Sequence, residues 1–316
     1  MRILLVKTSS LGDVIHCLPA VSDMRRALPH AEIDWVVEES FAEIPRLHPA
    51  VGGVIPVAIR RWRRALLVAA TWREVAGFRR AVRLADYDAI IDAQGLVKSA
   101  LLTALARGRK FGHAHPRERL AALGYDVAID IPRGQNAVQR NRQLAAGALG
   151  YELGDLPLDY GLTARPLQAD WLNHKDYAVL LTATSRADKE WAEAHWQALG
   201  AALNAHGLAC VLPGGSPAER TRAERIAGTL QHAHAAPALN LTDLAGLLAG
   251  ARLVVGVDTG LVHLAAALGQ PTLALYCASD PALTGVLADT PHANLGGPGR
   301  PPSASEVTAS ALSFIP

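Results

Sequence analysis

Short apolar runs recur along the whole 316-residue chain, each followed by a polar loop and then a stretch with helical periodicity. Ile3-Leu4-Leu5-Val6, Ile33 to Val37 and Ala89-Ile90-Ile91 are the clearest in the first half. Tyr177 to Leu181, Leu208 to Leu212, Leu253 to Val257 and Thr272 to Tyr276 repeat the pattern in the second. Runs this short and this apolar read as strands buried on both faces. Between them, Val14, Leu18, Val21 and Leu28 line one face of a helix starting near Val14. Trp191 to Leu203, Ala218 to Leu230 and Thr242 to Leu248 continue the helical pattern. Such alternation predicts an α/β protein with parallel sheets covered by helices on both faces. The length suggests two domains, and the Pro- and Gly-bearing stretch from Gly150 to Pro166 is the natural hinge.

Composition removes several function classes. Half of the residues are hydrophobic and 19% are charged, which describes a globular chain with a sizeable core rather than a disordered or fibrous one. The three cysteines, Cys17, Cys210 and Cys277, lie far apart without a C-x-x-C, so the chain reads as intracellular, with neither a disulfide framework nor a structural zinc site. The N-terminus turns polar at Lys7-Thr8-Ser9-Ser10, which is no signal-peptide core. The best apolar run, Leu244 to Val257, is broken by Arg252, so no membrane span is expected.

Charge is unevenly placed: residues 1–160 hold 22 Lys and Arg against 17 Asp and Glu, and residues 161–316 hold 9 against 12. Arg60, Arg61, Arg63, Arg64, Arg73, Arg79, Arg80 and Arg83 face only Glu74 in sequence. A second knot combines Arg107, Arg109, Lys110, Arg117 and Arg119 with Glu118. Such a run is either a solvated helix face or a docking surface for an anionic partner, because the guanidinium fork pairs with phosphate and carboxylate. Only Trp62, Trp72 and Phe78 interleave the first cluster, a poor stacking platform for single-stranded nucleic acid.

Ligands of open α/β sheets bind beyond the carboxyl ends of the strands, so chemistry belongs in the loops there. The first is Lys7-Thr8-Ser9-Ser10-Leu11-Gly12-Asp13, which lacks G-x-G-x-x-G spacing; no phosphate-binding G-x-x-x-x-G-K-[ST] occurs anywhere. Asp13 either caps a helix or serves as a general base at a cleft. The second is Thr182 to Trp191, where Thr184, Ser185 and Lys189 gather at an expected helix N-terminus, a plausible phosphate site. In the third, Val257-Asp258-Thr259-Gly260 turns sharply into a small-residue helix, with Asp258 and Thr259 as caps and His263 one turn on. Asp86-Tyr87-Asp88 mimics a metal-binding D-x-D, but it precedes its strand at the wrong edge. The pairs His113/His115 and His232/His234 lack companion ligands, so no metal is expected.

These loops make the chain similar to the ADP-heptose glycosyltransferases of the GT-B fold. The segments Val6 to Val14, Ile91-Asp92-Ala93-Gln94-Gly95-Leu96-Val97-Lys98-Ser99 and Val257 to Leu261 carry that resemblance. Asp34-Trp35-Val36-Val37-Glu38-Glu39 and Val54 to Arg63 point to lipopolysaccharide heptosyltransferases of type I. The resemblance implies two Rossmann-like domains facing a central cleft: an acceptor domain over 1–160 and an ADP-heptose domain over 161–300, with a helix over 301–316 packing back on the first. It implies inverting transfer of L-glycero-D-manno-heptose from ADP-heptose to the Kdo of Kdo-lipid A, in lipopolysaccharide inner-core synthesis of a Gram-negative bacterium. The enzyme would be a cytoplasmic monomer, peripheral on the inner membrane, needing no metal or other cofactor and binding no nucleic acid.

By resemblance Asp13 is the base, and Lys189 stabilises the departing diphosphate. Thr184, Ser185, Lys189, Glu219, Leu239, Asp258, Thr259, Gly260 and His263 bind the donor, with Glu219 at the ribose and Leu239 by the adenine. Ser10, Arg60, Arg61, Arg63, Arg64 and Lys98 bind the acceptor. The sequence departs from the family at Ser185 for threonine, Gly214 for an aromatic and Cys277 for a glycine. Two rivals stay open: a sibling heptosyltransferase acting on a later core heptose or a protein, and a non-catalytic nucleotide-sugar or anion-binding protein.

Overall fold

The computed structural model describes residues 1–315. They form two compact units, Met1–Leu162 and the segment from Thr163 onward. In the first, β1 (Arg2–Val6), β2 (Glu32–Glu38), β3 (Val51–Val57), β4 (Asp86–Asp92), β5 (Arg107–His113) and β6 (Val127–Ile129) build one sheet in the order β3-β2-β1-β4-β5-β6. The second unit repeats the plan. There β7 (Tyr177–Leu181), β8 (Ala209–Leu212), β9 (Ala233–Ala235), β10 (Leu253–Val257), β11 (Thr272–Tyr276) and β12 (His292–Gly296) pair in the order β9-β8-β7-β10-β11-β12. Every ladder is parallel. Each sheet therefore has the dinucleotide-binding strand order, with a switch point between its first and fourth strands.

The cores follow the apolar runs. Leu4, Val6, Val36, Val57 and Ile90 meet Phe78 and Val82 under the helix Ala69–Ala81. In the second unit Trp191 and Trp196 stand edge to face, their centroids 5.0 Å apart, beside Leu180, Val255 and Leu275. Val307 and Ala311, from the last helix (Ala304–Ser313), complete this same core. That corrects the expectation that the C-terminal helix packs back on the N-terminal half; its apolar face is buried in the C-terminal unit. All three cysteines are free and buried. Among the described residues no helix is long and apolar enough to cross a membrane.

Two local expectations also change. The helix expected to start near Val14 is two helices, Leu11–Ile15 and Leu18–Ala27. Pro19 has no N–H with which to carry the ladder across the break. Asp86-Tyr87-Asp88 does not precede its strand but opens β4, where the Tyr87 hydroxyl donates to Asp34 and Asp88 accepts the Arg2 backbone N–H. The triplet is a strand start tied into the sheet.

One buried ion pair ties the first unit's helices together. Arg142, on the helix Ala137–Leu149, donates from Nε to Asp23 Oδ2 at 2.6 Å and from Nη2 to Oδ1 at 3.0 Å, with both side chains buried. Removing one partner of such a pair strands the other charge in low dielectric. Asp23→Ala should therefore cost about 3–5 kcal/mol, read as a lowered urea midpoint for the first unit. Arg252→Ala, which breaks the exposed pair with Asp176, should cost less than about 1 kcal/mol. Equal shifts would contradict the assignment.

Candidate active site

In each unit the loops after the first and fourth strands are bound to one another. In the first unit, Lys7 leaves β1 buried and donates from Nζ to the Ala93 carbonyl beyond β4 at 2.7 Å. Gln94 reaches back: its Oε1 accepts the Thr8 and Ser9 backbone N–H groups at 3.0 and 3.1 Å. Lys98 Nζ donates to Ser9 Oγ at 3.3 Å. The Ala93–Gly95 turn is set by Asp92, whose buried carboxylate accepts from Ser99 Oγ, Tyr125 OH and the N–H groups of Gln94 and Gly95. Burial pushes that carboxyl's pKa up despite these four donors.

Asp13 projects from the first turn of Leu11–Ile15, partly exposed. Its Oδ2 accepts the Ser10 backbone N–H at 2.7 Å and Ser10 Oγ at 3.0 Å, so the residue does cap its helix. Capping and base chemistry are not exclusive, because both bonds fall on one oxygen and fix the carboxylate's orientation while Oδ1 lies outside the capping box.

Close to these loops lies a basic basin of about 740 Å³, lined by His115, Arg117, Arg119 and Arg133. His113, at the end of β5, is buried, and that burial, with Arg140 and Lys7 nearby, brings its pKa down to about 3. The charge knot was legible in sequence; its concave arrangement with Arg133, and the bracing of the neighbouring loops by Asp92 and Gln94, were not. The Ile91 to Ser99 segment held the signal for Asp92 and Gln94.

The arginines that the resemblance assigns to the acceptor are not equivalent. Arg61 forks onto Glu39 and also meets Glu74, so Glu74 is not the cluster's only carboxylate. Arg60 lies over the Phe41 ring at 5.3 Å. Arg63 and Arg64 are exposed, with no carboxylate in salt-bridge range among the described residues. Arg61 is thus already paired, and Arg60, Arg63 and Arg64 are better placed to meet an anion.

In the second unit the bridge is ionic. Lys189 Nζ sits 2.6 Å from Asp258 Oδ2, with both side chains mostly buried. Ser279 Oγ donates to the same oxygen, and Thr184 Oγ1 donates to the Asp258 carbonyl at 3.1 Å. Buried His263 places Nε2 4.0 Å from Asp258 Oδ1. Two expectations are corrected here. Lys189 does not open the following helix: it closes a single turn, Ala187–Lys189, and the helix begins at Glu193. Asp258 does not cap Gly260–Ala267; Thr259 occupies the cap position without a side-chain cap bond, and Asp258 instead anchors Lys189. Lys189, Asp258, Thr259, Gly260, His263 and Thr184 are therefore brought together, around a helix whose first N–H groups carry no side-chain cap. Thr182, fully buried at the end of β7, has a hydroxyl with no partner among the described residues.

The remaining donor candidates stand apart from that cluster in their contacts. Ser185 is exposed. Glu219 closes a capping box on Pro217–Ala227, its Oε2 accepting the Gly215 and Ser216 N–H groups at 2.8 and 2.9 Å. Leu239 is half-buried in the loop after β9. Gly214 has a steric reason: a Cβ there would lie 2.7 Å from the Arg220 nitrogen. No three His, Cys, Asp or Glu side chains converge as a metal site among the described residues.

Residues 75–309 match the model of glycosyltransferase family 9 (heptosyltransferase). The chain is 48% identical over 288 residues to lipopolysaccharide heptosyltransferase 1 of Salmonella typhimurium, covering 90% of this chain and 91% of that one. It is 49% identical over 288 residues to the Pseudomonas aeruginosa protein of the same name, covering 90% and 81%. The E. coli heptosyltransferase WaaC with ADP superposes with a TM-score of 0.89 at 45% identity, over 99% of this chain and 98% of that one.

The loop geometry of the first unit is directly testable. Gln94→Ala removes the acceptor shared by Thr8 and Ser9. Their amides should then exchange with solvent about tenfold faster or more, while those of β7 stay unchanged. Unaltered exchange at Thr8 and Ser9 would contradict the brace.

Proposed function

The chain belongs to glycosyltransferase family 9, the heptosyltransferases, and we propose that it transfers heptose from ADP-heptose to the Kdo sugar of Kdo-lipid A. Near-half identity to type I enzymes over nine-tenths of the chain supports that acceptor over a later core heptose or a protein. The solved WaaC structures carry ADP or ADP-2-deoxy-2-fluoro heptose, which supports the donor. The observation that carries the mechanism is the Lys189–Asp258 bridge at the lip of an uncapped helix.

Glycosyl transfer passes through an oxocarbenium-like state while negative charge grows on the departing diphosphate. Lys189 and the first N–H groups of Gly260–Ala267 supply positive potential where that charge develops. Asp258 keeps Lys189 in place, and Thr184, Ser185, Thr259 and His263 complete the donor's phosphate and sugar contacts. Glu219 and Leu239 take the ribose and adenine. At the other half-site, Asp13 accepts the proton of the attacking acceptor hydroxyl. The oxygen's electron pair forms the new bond to the anomeric carbon as the bond to ADP breaks and ADP leaves with its electrons. A single attack from the face opposite ADP inverts the anomeric centre. The charge stabilisation assigned here comes from protein groups, and no metal is invoked. Ser10, Lys98, Arg60, Arg63, Arg64 and the Arg117/Arg119/Arg133 basin meet the acceptor's phosphates and carboxylates, with the protein peripheral on the cytoplasmic face of the inner membrane.

Asp13→Asn keeps an oxygen for the Ser10 bonds but cannot take a proton. Turnover should fall about 10²-fold or more while ADP-heptose affinity stays near wild type; near-normal turnover would remove Asp13 from the mechanism. Replacing Arg60, Arg63 and Arg64 together by Gln should raise the acceptor KM far more than the donor KM. Equal effects in steady-state kinetics would count against their role.

A further inference from the structure

Of the ten large apolar side chains that stand exposed among the described residues, four lie between positions 66 and 72. Leu66 is 53% exposed, Leu67 fully so, Val68 50% and Trp72 58%. Single exposed apolar residues need no explanation, but a contiguous group does. We propose that this turn is a wedge by which the protein enters the interface of an anionic lipid bilayer, with Arg63, Arg64 and Arg73 pairing to headgroup phosphates around it. The inference deepens the reading of a peripheral enzyme by naming the residues that meet the membrane.

The turn is built rather than loose. Val68 N–H donates to the Ala65 carbonyl at 3.1 Å and Thr71 N–H to the Val68 carbonyl at 3.0 Å. Thr71 Oγ1 donates to the Ala65 carbonyl and Trp72 Nε1 to the Leu66 carbonyl, both at 2.8 Å. The second side-chain bond matters most. It satisfies a carbonyl that would otherwise need water, and it turns the indole N–H inward so that the ring's apolar body faces out. Trp, with an apolar body and a single polar N–H, favours the membrane interface.

Charge selects the partner. No Asp or Glu lies between Glu43 and Glu74 in the sequence. Glu74 is held by Arg61 and by the Trp62 indole N–H. Arg63, Arg64 and Arg73 are exposed, with no carboxylate in salt-bridge range among the described residues, so three uncompensated cations accompany the apolar tip. An apolar tip accompanied by cations matches a leaflet with apolar chains below and anionic headgroups above. Beside two aliphatic leucines, Trp72 alone is a poor stacking platform for a nucleic acid.

The test uses the full chain with neither donor nor acceptor, so it reads docking independently of transfer. Binding to phosphatidylcholine vesicles is compared with binding to vesicles that also contain phosphatidylglycerol, by sedimentation. Wild type should bind only the anionic vesicles. The double variant Leu66→Ser/Leu67→Ser should partition about tenfold more weakly or less, yet turn over a soluble, acyl-free acceptor at the wild-type rate. Lipids brominated along their chains should quench wild-type emission, and this quenching should be lost in Trp72→Phe. Unchanged partitioning of the double variant would overturn the wedge, showing arginine attraction alone. Vesicle binding that appears only when the lipid acceptor is present would also overturn it, making the acceptor's acyl chains the occupant.

Discussion

A lysine crosses the switch point of each sheet. In the first unit Lys7 spans from the end of β1 to the Ala93 carbonyl beyond β4; in the second, Lys189 spans from the loop after β7 to Asp258 beyond β10. Where the strand order reverses, the flanking loops diverge and leave a crevice lined by polar backbone. A long cationic side chain with a fixed acceptor ties the two flanking loops to each other in each unit. The two crosslinks differ in a way that suits different chemistry. Lys7 is buried and locked onto a neutral carbonyl, which makes it structural. Lys189 keeps partial exposure and pairs with a carboxylate that a serine hydroxyl and a histidine also approach.

This arrangement explains why the first-half loop holds its acid as it does. Asp13 is oriented by its own Ser10, Ser9 and Thr8 are oriented by Gln94, and Gln94 is oriented by Asp92. The chain of bonds runs from a fully buried carboxylate outward to a partly exposed one. The buried member is costly to ionise and makes four hydrogen bonds; the outer member keeps its second oxygen outside the capping box.

Much of this was legible in sequence because strand runs such as Leu4 to Val6 and Leu253 to Val257 are apolar on both faces, which periodicity detects. β5 was not, since Arg107-Gly108-Arg109-Lys110 reads as a charge knot until the strand's outward alternation is seen. The break at His16-Cys17 was hidden by an uninterrupted apolar stripe, although Pro19 marked it. The last helix was expected on the first half by resemblance alone, whereas Val307 and Ala311 bury its apolar face in the second unit's core. Asp258 shows the limit most clearly: sequence offers a cap, whereas tertiary structure gives it a lysine sixty-nine residues away. The arginine run likewise splits, in three dimensions, into Arg61 paired with two glutamates and Arg63 and Arg64 left at the surface.

The claim that two switch-point half-sites serve one transfer reaction is tested most directly by ADP release from ADP-heptose, measured with and without Kdo-lipid A. The account predicts release that is negligible with the donor alone and rises steeply only when the acceptor is added. Release that is indifferent to the acceptor, or absent with both substrates present, would contradict it.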